Sequence, residues 1–373
     1  MKQWFRICIS IVGMFVSLQA QTDALKKLSD AIIARDLPAV KQAIDAGADM
    51  NGITEHQQPP VIVAVVYQNP EALKLLLDNS ARIKDLPVNP ISLGASKKHL
   101  EVLTLLVKAG LVLDDKKNPA VLTALQAGAH LDVIKMLVDA GADPEAENGV
   151  GQNAILVLSG ANPPKKRMEA IKSAVEDSKT KGTRILPYYN SAEESDFSGS
   201  VEIAEYLVSK GVDARAKNGA GNGLLGCAKT GNAELAAYLI KKGVDIEPSG
   251  ISPLWWALRY QNSEVVKVIV DAKPDLERLH FYPAGDYAWK LSYLCEAAMN
   301  GDVRSATILL DAGAEINATF ERTESVTSSF TGTSVLTRTE YSVHTALSLA
   351  AEAEHEAMAE LLVSRGGKVA SEL

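Results

Sequence analysis

Few residues of this 373-residue chain are spaced for chemistry. His355-Glu356 begins the kind of helix that holds zinc through a second histidine, but that histidine is missing. Ser178-Lys179-Thr180-Lys181 has the Ser-x-x-Lys spacing of an acylating serine, yet it lies in a polar insertion where chance accounts for it. There is no Gly-rich phosphate loop, no Gly-x-Ser-x-Gly elbow and no Cys-x-x-Cys pair. His99, His130 and His355 fall in short links between helices, where a histidine serves structure. The chain reads as a non-enzyme with no cofactor and no metal.

The elements that carry these residues repeat. Lys135-Met-Leu-Val-Asp-Ala-Gly141-Ala-Asp-Pro-Glu145 ends a helix, turns on glycine and leaves along an acidic residue. The pattern recurs nine times, with the glycine position at 47, 80, 110, 141, 211, 243, 273, 313 and 366. Apolar residues at i, i+3 and i+4 make one helical stripe. Glycine after the last turn takes the left-handed conformation that closes a helix. Two copies differ: one has Ser80, and another has Lys273 followed by Pro274, which is expected to stop the helix by a different route.

A second helix lies between successive copies. Its start is marked by a turn and a phrase such as Ser252-Pro-Leu-Trp-Trp-Ala257 or Thr345-Ala-Leu-Ser-Leu-Ala-Ala351. Ser or Thr caps such a helix, and proline suits its first position. Small residues further on, as in Leu224-Leu-Gly-Cys-Ala228, let a neighbouring helix approach closely. These phrases resemble the T-P-L-H-x-A signature of the ankyrin repeat family, over residues from about 24 to 373. The resemblance implies an all-α fold: an ankyrin-repeat solenoid of about nine helix-pair repeats with β-turn fingers. It also implies protein–protein recognition and no enzymatic activity.

Residues 1–20 have a basic start, Lys2 and Arg6, an apolar run Ile7–Leu18, and a small residue at Ala20. This is the composition of a secretory signal peptide cleaved after Ala20, which leaves 21–373 as the repeat domain. The expected location is periplasmic or secreted, the periplasm being that of a Gram-negative bacterium. Without Lys2 and Arg6, the 38 basic and 46 acidic residues become 36 and 46, a net charge of −10. That argues against nucleic acid and anionic lipid as partners. No later segment is apolar and long enough to insert in a membrane. Cys227 and Cys295 fall in first helices two layers apart, about 20 Å, which is beyond disulfide reach.

Against a 33-residue unit, three steps between glycine positions are long: 141 to 211, 273 to 313 and 313 to 366. The extra chain falls at about 160–200, 278–293 and 318–343. In the first, Lys165–Ser178 reads as an amphipathic helix carrying Met168, Ile171 and Val175. The second is aromatic: Phe281, Tyr282, Tyr287, Trp289 and Tyr293. It reads either as an exposed interface cluster or as rings packed on each other to support a long finger. In the third, 12 of the 24 residues from Thr319 to Ser342 are Ser or Thr, which favours a β-hairpin turning at Thr331-Gly332. An isolated hairpin is only marginally stable, so ordering on a partner is one expectation for it and a mobile polar loop another.

Ankyrin-like proteins bind through fingers and the exposed side of first helices. The matching positions here include Tyr67, Lys97, Lys229, Arg259 and Tyr260. The candidate partner-binding residues are therefore Tyr67, Lys97, Arg259, Tyr260, Phe281, Tyr282, Tyr287 and Trp289. Trp255 and Trp256 are expected to be wedged between repeats. The sequence thus points to a monomeric binding protein of the cell envelope whose partner is another envelope protein. The alternative is an inhibitor or self-protection protein that blocks a periplasmic or cell-wall enzyme.

Overall fold

A computed structural model describes residues 21–54, 58–84, 86, 88–96, 100–115, 118–160, 199–248, 252–284, 287–330 and 333–373. Residues 1–20, read from sequence as a signal peptide, Lys97, His99, the segment 165–178 read as an amphipathic helix, and the turn expected at Thr331-Gly332 lie outside the described residues.

The chain divides into two compact units. The first, Met1–Ala154 with Ser209–Val212, carries four helix pairs. These are α1 (21–34) with α2 (Leu37–Asp45), α3 (Pro60–Val66) with α4 (Pro70–Asp78), α5 (Pro90–Ser96) with α6 (Leu100–Lys108), and α7 (Ala120–Gln126) with α8 (Leu131–Asp139). A two-residue ladder, β1 (Asp114–Asp115) with β2 (Asn118–Pro119), forms a finger before α7. First helices α3, α5 and α7 pack side by side, as do second helices α2, α4, α6 and α8. The apolar stripes meet between these rows: Leu28, Ile32, Val63, Leu73, Leu76 and Leu106 are buried together.

The second unit, Ile155–Val208 with Asp213–Leu373, continues the pattern. Its pairs are α9 (Ala154–Gly160) with α10 (Ser200–Ser209), α11 (Gly223–Thr230) with α12 (Ala233–Lys241), and α13 (Pro253–Arg259) with α14 (Ser263–Asp271). Then come α15 (Tyr293–Met299) with α16 (Val303–Asp311) and α17 (Ala346–Glu352) with α18 (Glu356–Ser364). Each first helix packs on the next, α11 on α13, α13 on α15 and α15 on α17. Cys227 and Cys295 are buried free thiols of these first helices.

The helix starts follow the expected capping chemistry. The side chains of Asn222, Ser252, Ser292 and Thr345 accept a backbone N–H in the first turn of α11, α13, α15 and α17. A second device was not foreseen. An asparagine in the link before a second helix reaches back to the preceding repeat. Asn69 donates to the Ile32 carbonyl at 2.9 Å and Asn262 to the Ala228 carbonyl at 2.6 Å. Asn232 donates to the Ser200 hydroxyl at 3.0 Å. These amides are buried, so each staple satisfies polar groups that water cannot reach.

One expectation about helix ends needs correcting. Lys273 does not stop its helix by another route: it is left-handed, with φ +59°, as Ser80 is at +68° and Gly141 at +99°. A residue with a Cβ is strained there, and Lys273 is exposed. Lys273→Gly is therefore expected to stabilise the protein by about 1 kcal/mol. Denaturant midpoints at constant m-value would show it, and no gain would mean that Pro274 already holds the turn.

The second and third insertions form one structure. β5 (His280–Ala284) and β6 (Tyr287–Leu291) make a hairpin, as do β7 (Phe320–Phe330) and β8 (Thr333–His344). β6 also pairs with β7 through Tyr287↔Glu324, Ala288↔Thr323 and Trp289↔Arg322, giving a four-stranded antiparallel sheet in the order β5-β6-β7-β8. Each hairpin occupies the place of the short ladder β3 (Lys217–Asn218) with β4 (Gly221–Asn222) before α11. Both are fingers grown long on consecutive repeats, so their strands lie close enough to join. The hairpin expected at 318–343 is present, and it is not isolated.

Candidate functional site

The aromatic and charged side chains of the second unit converge on α11, α13 and α15. α13 opens with the Ser252 cap and Pro253, and this start sets its register. Leu254, Ala257 and Leu258 then fall on its buried face. Trp255, Trp256, Arg259 and Tyr260 are left half-buried at its edge. The two indoles meet edge to face, 5.0 Å between centroids at 77°. Tyr260 lies 5.7 Å from Trp256. Lys229, at the end of α11, places Nζ 4.4 Å above the Trp256 ring, and Arg259 places Cζ 5.2 Å above Trp255. Cations over indole faces are drawn by the ring quadrupole. Partial burial also holds the Lys229 amine below its usual range.

Beneath this surface is a buried carboxylate. Glu296 of α15 is fully buried, and three groups donate to it. The Trp255 indole N–H lies 3.3 Å from Oε2, Arg259 3.3 Å from Oε1, and the Asn300 amide 3.2 Å from Oε1. Burial pushes its carboxyl above the ordinary value, while Arg259, Asn300 and Trp255 pull it down. The network ties α13 to α15 and fixes the rotamers of Trp255 and Arg259. Arg259 is thus part spring and part surface, with a side chain only 15% exposed.

The sheet stands on the same ground. His280, the first residue of β5, lies 6.4 Å from Trp255 and 4.6 Å from Tyr293. Tyr293 is not part of an exposed aromatic cluster. It is the fully buried first residue of α15, its hydroxyl 2.7 Å from that of Ser252. Burial pushes that phenol up to about 12. Burial, aided by Arg278, lowers His280 to about 4. The folded protein therefore keeps His280 neutral where the unfolded chain, with an ordinary value of 6.5, protonates it. Between pH 6.5 and about 4 the unfolded state binds the extra proton, so this residue's contribution to stability falls as pH is lowered. The difference in melting temperature between wild type and His280→Phe is expected to change with pH in that window only. A parallel pair of curves would remove His280 from the account.

The candidate residues are distributed as follows. Arg259 and Tyr260 join Trp255, Trp256 and Lys229 in one patch. Trp255 does reach the next repeat, through Glu296, but neither indole is fully enclosed. Phe281 and Tyr282 lie on β5, Tyr287 and Trp289 on β6. The register puts Tyr282, Trp289 and Arg322 in one cross-strand row, two residues beyond His280, Leu291 and Phe320. Tyr67 is 41% exposed and belongs to the first unit. Glu296 was missed. Its signal was a charged residue at the register position that Trp256 and Leu349 hold in the flanking first helices.

The comparisons with known proteins agree with this architecture. A family model for ankyrin repeats, in three copies, matches residues 191–279. The solved human ASB11 ankyrin repeat domain resembles the chain with a TM-score of 0.50 and 18% identity, covering 75% of this chain and 99% of that one. Residues 191–279 are ankyrin repeats, and the chain has the ankyrin-repeat fold. No curated protein sequence matches it significantly. Ankyrin repeats generally mediate protein–protein binding, and the matched repeats suggest a protein partner. No helix among its described residues is long and apolar enough to cross a membrane.

Proposed function

We propose that this ankyrin repeat protein is an exported, non-enzymatic binding module of the cell envelope, and that it grips its partner with the α11–α13 patch and the adjoining sheet. The observation that carries the reading is the cation–aromatic cluster of Lys229, Trp255, Trp256, Arg259 and Tyr260. Half-buried Trp, Tyr and Arg, held in place by a buried network, are what interface centres are built from. Export is supported by the composition of residues 1–20.

Trp256→Ala with Tyr260→Ala is expected to weaken capture of the partner from envelope extract by about 100-fold. Tyr67→Ala, in the other unit, serves as the comparison. Retained affinity in the double variant would move the interface elsewhere. A second reading, inhibition of an envelope or cell-wall enzyme, is favoured by the four-stranded sheet, because a plain scaffold has no need of lengthened fingers. Stoichiometric loss of a captured enzyme's activity selects inhibition, and full activity in the complex selects scaffolding.

A further inference from the structure

The four-stranded sheet ends on an open edge. β8 pairs with β7 from Phe320↔His344 to Phe330↔Thr333, and among the described residues no strand lies on its other side. A 12-residue strand with one unpaired row of N–H and C=O groups is a template for another strand. Such edges are commonly guarded by a bulge or by charges. β8 has an irregularity where the ladder steps from Val326↔Arg338 to Thr327↔Leu336. Its charges, however, are of opposite sign, Arg338 and Glu340, on either side of Thr339.

That spacing is self-complementary. If two copies of β8 run antiparallel with Thr339 opposite Thr339, position 338 of each copy faces position 340 of the other. Arg then meets Glu twice, Thr337 meets Tyr341, and Val335 meets Val343. Centring the pair one residue earlier sets Arg338 against Arg338, and one residue later sets Glu340 against Glu340. Directly opposed like charges destabilise a strand pair, so the charges select one register. A second observation concerns the monomer. Glu340 lies directly opposite Glu324 of β7, an unfavourable pairing. In the self-paired arrangement the arginine at position 338 of the second copy enters that row on its open side. The two His344 positions, at the bases of the hairpins, lie ten residues apart along the ladder, about 34 Å.

We propose that β8 is a homodimer interface in which two copies join edge to edge about Thr339 to make an eight-stranded sheet. The sequence alone points to a monomer. Pairing of the two lengthened fingers, which no local pattern announces, builds the sheet that makes the edge usable.

Sedimentation equilibrium of the full chain between about 1 and 100 μM tests this. A reversible dimer is expected, weakened by salt because charge pairs select its register. Glu340→Arg and Arg338→Glu should each raise the dimer dissociation constant about tenfold or more. An equimolar mixture of the two variants should associate again, because one then carries Arg at both positions and the other Glu at both. Unchanged circular dichroism of each variant separates lost pairing from lost folding. A chain that stays monomeric throughout, a dimer unmoved by either variant, or folded variants that fail to associate on mixing would each overturn the proposal.

Discussion

Glu296→Ala is expected to lower stability by about 3–5 kcal/mol, the cost of leaving a buried ionic partner uncompensated. The substitution takes one shared acceptor from three donors. Arg259 loses the carboxylate 3.3 Å away while its side chain stays 15% exposed. The Trp255 indole N–H and the Asn300 amide lose the same acceptor. Each buried donor left unsatisfied costs about 1–3 kcal/mol on its own, but the three act as one network and do not add. Glu296→Gln retains a carbonyl acceptor and should cost less, about 1–2 kcal/mol. The decisive comparison is Arg259→Met with Glu296→Leu. Burying two charges is itself expensive, so the apolar pair should recover most of the lost stability. A denaturation double-mutant cycle measures the coupling. If the double variant is as unstable as Glu296→Ala, volume and not charge dominates the site. If it recovers stability yet loses the partner, the network exists to hold Trp255 and Arg259 ready for binding.

This residue shows where sequence reading stopped. Helix pairs, caps and the left-handed turn at Gly141 were legible because each is decided within a few residues. The apolar stripe, the Ser252 cap and the residue after the last turn are local facts. Ser80 and Lys273 show that the repeat's geometry outranks the local preference for glycine, since both take positive φ regardless. Interactions between repeats were not legible. Asn69, Asn232 and Asn262 look like ordinary link residues until the carbonyl or hydroxyl they reach, 32 to 37 residues earlier, is in view. The same holds for the pairing of β6 with β7. The hairpin at 318–343 could be anticipated from its own composition, and the aromatic insertion only as a long finger; their junction depends on two fingers being neighbours in space.

The patch was half legible for the same reason. Arg259 and Tyr260 were found because they follow the small residues of a first helix. Lys229 occupied the equivalent position one repeat earlier, but its place above Trp256 belongs to the packing of α11 on α13. Tyr293 misled because an aromatic residue close to an aromatic finger looks like part of it. Its burial follows from the Ser292 cap, which makes it the first residue of α15 and turns it toward Ser252.

Gly226→Val is expected to be the second most damaging substitution, at about 3 kcal/mol. Helix propensity alone argues the other way, because glycine in a helix is about 1 kcal/mol worse than alanine. The neighbour decides. A Cβ at position 226 would sit 2.6 Å from the Ser159 hydroxyl, 2.9 Å from the Ser159 carbonyl carbon and 3.0 Å from the Gly160 nitrogen. A hydroxyl can rotate away, but the backbone of α9 cannot without moving its whole last turn. That turn is held by Thr230, whose hydroxyl lies 3.2 Å from the Ser159 carbonyl. Even Gly226→Ala should therefore destabilise, by about 1 kcal/mol net once its helix gain is subtracted. Val should cost more in proportion to its added branches. Equal stability of Gly, Ala and Val at this position would show that α9 yields freely. In that case close approach between first helices would not be what the small residues of this repeat provide.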